Sequence, residues 1–142
     1  LMNNADIRIV SGGTTSQIVA RELGVEVKSS TEIYDKEVPP IAYIQGVDLV
    51  TEGVLTLSKT IDRLKSLSKS LDSDIFKAKD GASQMAKLLY SASHIKLLVG
   101  RSLNIANAES SFQRDLELRL HVVGELEKIL VKLGKIVTVE YY

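Results

Sequence analysis

The chain lacks cysteine and tryptophan altogether, and its 142 residues include only two histidines and two prolines. Without cysteine it can have no disulfide bridge, no thiol nucleophile and no cysteine-ligated zinc. Because His94 and His121 are the only histidines, a three-histidine metal centre is excluded, and we interpret both as structural. There is no apolar run near the ~20 residues of a membrane span, and no signal-peptide pattern. These absences favour a cytoplasmic protein.

The charges balance, with 18 basic and 18 acidic side chains. A neutral chain gives no electrostatic reason to expect nucleic acid or an anionic membrane as the main partner. The hydrophobic fraction of 44% is too high for a disordered tail, and the length suits a single domain over residues 1–142. Because residue 1 is Leu rather than Met, the chain is either a fragment of a longer protein or one whose true start is Met2.

Segments with the two-residue period of strands alternate with segments of helical period. Strands are predicted at 7–10, 25–27, 41–44, 47–50, 95–99 and 136–141, and helices at 14–23, 54–71, directly after Asp80, and at 110–133. Thr14 with Gln17 matches a capping box, and Asp80 is placed as an N-cap. The alternation predicts a three-layer α/β sandwich with a mostly parallel sheet of four to five strands and helices on both faces, a Rossmann-like fold.

In such a sheet, ligands bind beyond the carboxyl ends of the strands. Polar residues follow three predicted strands there and form our candidate ligand site: Gly12, Gly13, Thr14, Thr15, Thr51, Glu52, Arg101 and Asn104. The two glycines permit close approach of the backbone, and the helix start behind them offers free N–H groups for a phosphate or carboxylate. The alternative is a tight turn in which Thr14 only caps a helix. The spacing matches neither the Walker A loop nor the dinucleotide-binding pattern.

Three carboxylates could support metal chemistry. Asp48 interrupts an apolar strand, and with Glu52 and Asp80 it could hold Mg²⁺ beside a substrate phosphate. The alternative is that Asp80 caps its helix and Glu52 bonds the backbone. Arg101 suits a ligand phosphate and Glu52 equally well.

Five runs, in this order, resemble the C-terminal region of bacterial stage II sporulation protein E (SpoIIE)-like serine/threonine phosphatases. They are SGGTTSQIVARELG (11–24), PPIAYIQGVDLVTEGVLTL (39–57), DGAS (80–83), LVGR (98–101) and GKIVTVEYY (134–142). The resemblance implies an upstream module, similar to protein phosphatase 2C, that hydrolyses phosphoserine and phosphothreonine with Mn²⁺ or Mg²⁺. The metal-binding motifs of that module have no counterpart here, so no catalytic residue and no metal or other cofactor is expected in this chain.

One loop departs from the family. Relatives usually carry an Asn-Pro-Ala-His type of sequence after the Gly-Arg pair, whereas this chain has Asn104-Ile105-Ala106-Asn107. Asn107 stands where the relatives have the histidine, so any ligand or metal role of that histidine is in doubt for this chain.

The resemblance implies that this is the C-terminal accessory domain of a longer protein. Together with the candidate site it predicts a non-catalytic regulatory domain that binds a small anionic or phosphorylated ligand and works with its own upstream phosphatase domain. The alternative is a structural module that forms a homodimer through the apolar stripes of 54–71 and 112–133. A third reading is metal-dependent phosphatase activity of this chain itself, which requires Asp48, Glu52 and Asp80 to converge.

Overall fold

The computed structural model describes residues 6–70, 73–100 and 109–142. In chain order the elements are β1 (Ile9–Ser11), α1 (Gly13–Leu23), β2 (Lys28–Ser29), β3 (Ala42–Tyr43), β4 (Leu49–Thr51), α2 (Gly53–Lys69), α3 (Ser73–Lys77), α4 (Gly81–Ser91), β5 (His94–Val99), α5 (Glu109–Lys132) and β6 (Ile136–Tyr141). The short helix α3 lies where the sequence predicted only a polar connection.

The sheet arrangement corrects the predicted fold. The first sheet has the order β1-β4-β3-β2, in which β1 and β4 are parallel while both other pairs are antiparallel. The strands β5 and β6 form a second, two-stranded parallel sheet. The chain is therefore α/β, but the prediction of a mostly parallel, Rossmann-like sheet of four to five strands is wrong.

The connections between the strands explain the correction. A parallel neighbour requires a crossover of a dozen residues or more, which is usually a helix. Residues 44–48 alone connect β3 to β4, and the chain reverses there through a bond from the Val47 amide to the Ile44 carbonyl at 3.0 Å. Only β1 and β4 are parallel in this sheet, and their connection is long and contains α1.

The apolar stripes pack inside the molecule. Helix α2 packs against both α4 and α5, and the largest core cluster joins them to the two sheets. Leu64 of α2 and Leu130 of α5 are fully buried. The residues of the stripes 54–70 and 114–133 that belong to this cluster therefore pack within the core of the chain itself.

No helix within residues 6–70, 73–100 and 109–142 is both long enough and apolar enough to cross a membrane.

Candidate functional site

The parallel pair β1–β4 places two of the predicted polar turns side by side. Ser11 is the register partner of Thr51, and each strand ends at that position. Beyond the strand ends, the Gly12 amide donates a hydrogen bond to the Thr51 carbonyl at 2.9 Å. The turn after β1 and the turn after β4 are thus joined at one edge of the sheet.

Helix α1 begins in this edge without a side-chain cap. Its N-cap is Gly12, with a φ of 105° that favours glycine, and no side chain accepts a bond from the helix start. The predicted capping box at Thr14 and Gln17 is wrong because the helix begins one residue before Thr14. Thr14 and Thr15 are exposed, and the Ser16 hydroxyl donates to the Gly12 carbonyl at 2.7 Å.

Helix α2 begins at the same edge in a similar way. Its N-cap is Glu52, whose exposed carboxylate accepts no bond from the first turn. The first N–H groups of a helix have no partner within the helix. Two sets of such donors, those of α1 and those of α2, therefore lie beside the Gly12–Thr51 bond, together with the positive ends of two helix dipoles.

Buried hydroxyls lie directly behind the two turns. The hydroxyl oxygens of Ser11, Thr51 and Thr56 are buried and have no hydrogen-bond partner. A β-carbon placed on Gly81, the first residue of α4, would lie 3.3 Å from the Thr51 methyl and 3.7 Å from the Thr56 methyl. The start of α4 thus closes this part of the edge from the other side.

Ser11 and Thr56, two members of this group, were not predicted as site residues from the sequence. Ser11 directly precedes Gly12, and Thr56 lies inside the apolar stripe of α2 as a fully buried polar residue. The signal was present in the sequence: Thr56 and Thr60 occupy positions with the same helical spacing as Leu64, which predicts that they face the core.

Asp48 and Asp80 occupy different places. Asp48 precedes β4 and is exposed, and one of its carboxylate oxygens accepts a bond from the Arg8 amide at 2.6 Å. Glu52 lies four positions further along the extended chain, about 13 Å away at ordinary strand rise. The structure therefore does not bring Asp48 and Glu52 together, as the metal-dependent reading requires. Within the described ranges, no group of three or more acidic or histidine side chains is arranged to hold a metal ion.

Asp80 is the N-cap of α4, as the sequence predicted. Its carboxylate accepts bonds from the Ser83 amide at 2.9 Å and the Ser83 hydroxyl at 2.7 Å. The guanidinium of Arg63 lies 3.4 Å from the same carboxylate and 3.0 Å from that of Asp35. Asp80 is thus fully engaged in a structural cluster, next to the glycine that packs on Thr51.

Arg101, Asn104 and Asn107 lie outside the described residues. Both histidines are exposed, His94 at the first position of β5 and His121 on α5.

Comparison of the chain with protein-family models, with curated proteins and with solved structures gives no match.

Proposed function

We propose that this chain is a cytoplasmic, non-catalytic regulatory domain of a SpoIIE-like serine/threonine phosphatase, and that it binds a small anionic or phosphorylated ligand at the β1–β4 edge. The family context rests on the sequence resemblance. The binding function rests on one observation, the pair of helix starts without side-chain caps that lie next to each other where Gly12 bonds to Thr51.

The physical argument concerns unpaired donors. Helix starts are normally satisfied by a side-chain acceptor, by water or by a ligand. Here α1 and α2 both lack the side-chain acceptor, so the oxygens of one anion could receive bonds from both, and both helix dipoles favour negative charge. Glu52 opposes a bare anion at this edge. A phosphomonoester that also carries hydroxyl groups suits the site better than inorganic phosphate, because those hydroxyls can donate to the carboxylate.

A thermal-shift panel tests the binding function. The probes are inorganic phosphate, sulfate, nucleotides and sugar phosphates, each compared with chloride at the same ionic strength. A true ligand at about 100 times its Kd adds about 2.7 kcal/mol to the free energy of unfolding. Failure of every anion to stabilise the protein would contradict the proposal.

A matched pair of variants at Gly13, the first residue of α1, locates the site. Gly13→Pro removes one backbone donor at a position where the fixed φ of proline suits a helix, whereas Gly13→Ala keeps the donor. We expect only the proline variant to weaken binding. Glu52→Gln should strengthen anion binding about two- to fivefold, as expected for one charge at a helix start.

Three further measurements test the other readings and the family context. A concentration-dependent dimer in light scattering, without any anion effect, would favour the structural module. Metal-dependent phosphatase activity of the isolated chain would favour the third reading. The coding sequence directly upstream of residue 1 tests the family context, since a phosphatase module in frame there is expected.

A further inference from the structure

Residues 30–41 connect β2 to β3 as a compact loop whose ends meet. The Ser30 amide donates to the Ile41 carbonyl at 2.9 Å, which closes the loop at its base. Val38 and Ile41 are buried and fix the second end of the loop in the core. We refer to residues 31–37, which precede this anchor, as the flap.

The flap is held in place by charges. Asp35 lies 3.0 Å from the Arg63 guanidinium, and Glu37 lies 2.9 Å from the Lys59 ammonium. Arg63 and Lys59 are one turn apart on α2, so two of the three acids of the flap meet two bases on one helix face. The two large side chains at the tip, Ile33 and Tyr34, are 67% and 49% exposed and contribute little burial. Segments with few buried apolar contacts open at low free-energy cost.

Arg63 is held from the opposite side as well. Its Nε donates to the Ser83 hydroxyl at 2.8 Å, and its Nη1 donates to the Lys59 carbonyl at 3.4 Å. Asp80 adds a carboxylate at 3.4 Å. These contacts belong to α2 and α4, so Arg63 keeps its position whether or not Asp35 is bound.

A shallow pocket of about 420 Å³, open to solvent, lies beside this arrangement. The flap contributes Tyr34 and Asp35 to its wall, and Arg63, Asp80 and Ser83 form part of the rest. We propose that the flap is a movable wall of this pocket held by charge, that Arg63 is its fixed partner on α2, and that the flap moves away from α2 when the ion pairs of Asp35 and Glu37 are screened or removed.

Salt is the direct probe, since the screening length falls from about 10 Å at 0.1 M to about 3 Å at 1 M. The readout is hydrogen exchange of the Glu37 and Val38 amides, which donate to the side chain and the carbonyl of Asp35 respectively. In the wild-type protein we expect both amides to exchange about fivefold faster at 1 M salt, as two weak ion pairs allow. Asp35→Asn retains an acceptor for the Glu37 amide but loses the charge. It should exchange fast at both salt concentrations.

Asp62→Asn is the matched control, because Asp62 lines the same pocket from α2 without belonging to the flap. It should exchange like the wild type. The amide of the buried residue Leu64 reports on global opening. The proposal is overturned if salt leaves the Glu37 and Val38 amides of the wild type unchanged, or if it accelerates them no more than the Leu64 amide. It is equally overturned if Asp35→Asn exchanges as slowly as the wild type. The comparison of the wild-type protein at low and high salt tests the proposal even if a variant fails to fold.

Discussion

Thr56 and Thr60 lie one turn apart on α2 and are both fully buried, yet only one of their hydroxyls is satisfied. The Thr60 hydroxyl donates to the Thr56 carbonyl at 2.8 Å, whereas the Thr56 hydroxyl has no partner. A buried polar group without a partner costs about 1–3 kcal/mol, which is more than a satisfied one contributes. On the same helix, the Thr60 hydroxyl is therefore expected to stabilise the folded state and the Thr56 hydroxyl to destabilise it.

Replacing each threonine by valine tests this difference. Thr56→Val keeps the shape of the side chain and removes an unsatisfied hydroxyl, so we expect a gain of about 1 kcal/mol in the free energy of unfolding. Thr60→Val removes a hydrogen bond and should cost about 1 kcal/mol. Urea denaturation of both variants measures the two values. A loss of stability in Thr56→Val would show that its hydroxyl is satisfied in solution, for example by a buried water.

Asp80 should be among the side chains most costly to remove. Asp80→Ala removes the cap of α4 and one carboxylate beside Arg63, which together cost about 2–3 kcal/mol. Asp80→Asn keeps an oxygen that can accept from the Ser83 amide, so it should cost clearly less. Thermal unfolding of the two variants gives the comparison. Equal losses would mean that the charge, rather than the cap, carries the stabilisation.

The two caps show what could be predicted from the sequence. Asp80 was predicted correctly because a cap depends on residues within one turn of each other. The capping box predicted at Thr14 was wrong for a different local reason. Gly12 adopts a backbone conformation open mainly to glycine, and this lets the helix begin earlier than the side-chain pattern indicates.

Strand direction depended on connections rather than on strand patterns. The strands β1 and β4 to β6 lie close to the segments that the alternation of apolar and polar residues predicted. No pattern within β3 indicates that it runs antiparallel to β4. The short connection of residues 44–48 carried that information, and the prediction of a parallel sheet overlooked it. Similarly, the candidate edge was predictable as two polar turns. The unpaired hydroxyl of Ser11 behind them became visible only once its strand was paired with that of Thr51.

Gly24 ends α1 in a left-handed conformation, with φ 67° and ψ 31°, and the Val25 amide bonds back to the Ala20 carbonyl. A β-carbon at Gly24 would meet no atom within 4 Å, so any cost of a substitution comes from the backbone alone. Gly24→Ala should lower the free energy of unfolding by about 1 kcal/mol, and Gly24→Asn by less, because asparagine tolerates this conformation. Chemical denaturation measures both. An alanine variant as stable as the wild type would argue against the left-handed end of α1.

The second sheet contains a pH-sensitive cluster at Glu140. The Tyr142 hydroxyl donates to this carboxylate and the Lys96 ammonium lies 3.0 Å from it, and these two contacts, the first above all, lower the pKa of Glu140 below its usual 4.5. A lowered carboxyl pKa means that the contacts stabilise the folded state above pH 4.5 and are lost as the pH falls through the lowered value. The carboxylate raises the pKa of Lys96 above its usual 10.5, so the ion pair is lost again as the pH rises through that higher value.

NMR titration of the Glu140 carboxyl carbon tests the order of these causes. Because the tyrosine hydroxyl has the larger effect on the pKa, Tyr142→Phe should raise the Glu140 midpoint more than Lys96→Met does. The double variant should bring the midpoint closest to the ordinary value, since both contacts that favour the ionised form are then gone. An unchanged midpoint in Tyr142→Phe would show that the hydroxyl does not bind the carboxylate in solution. A larger shift in Lys96→Met would make the ion pair across β5 and β6 the dominant contact.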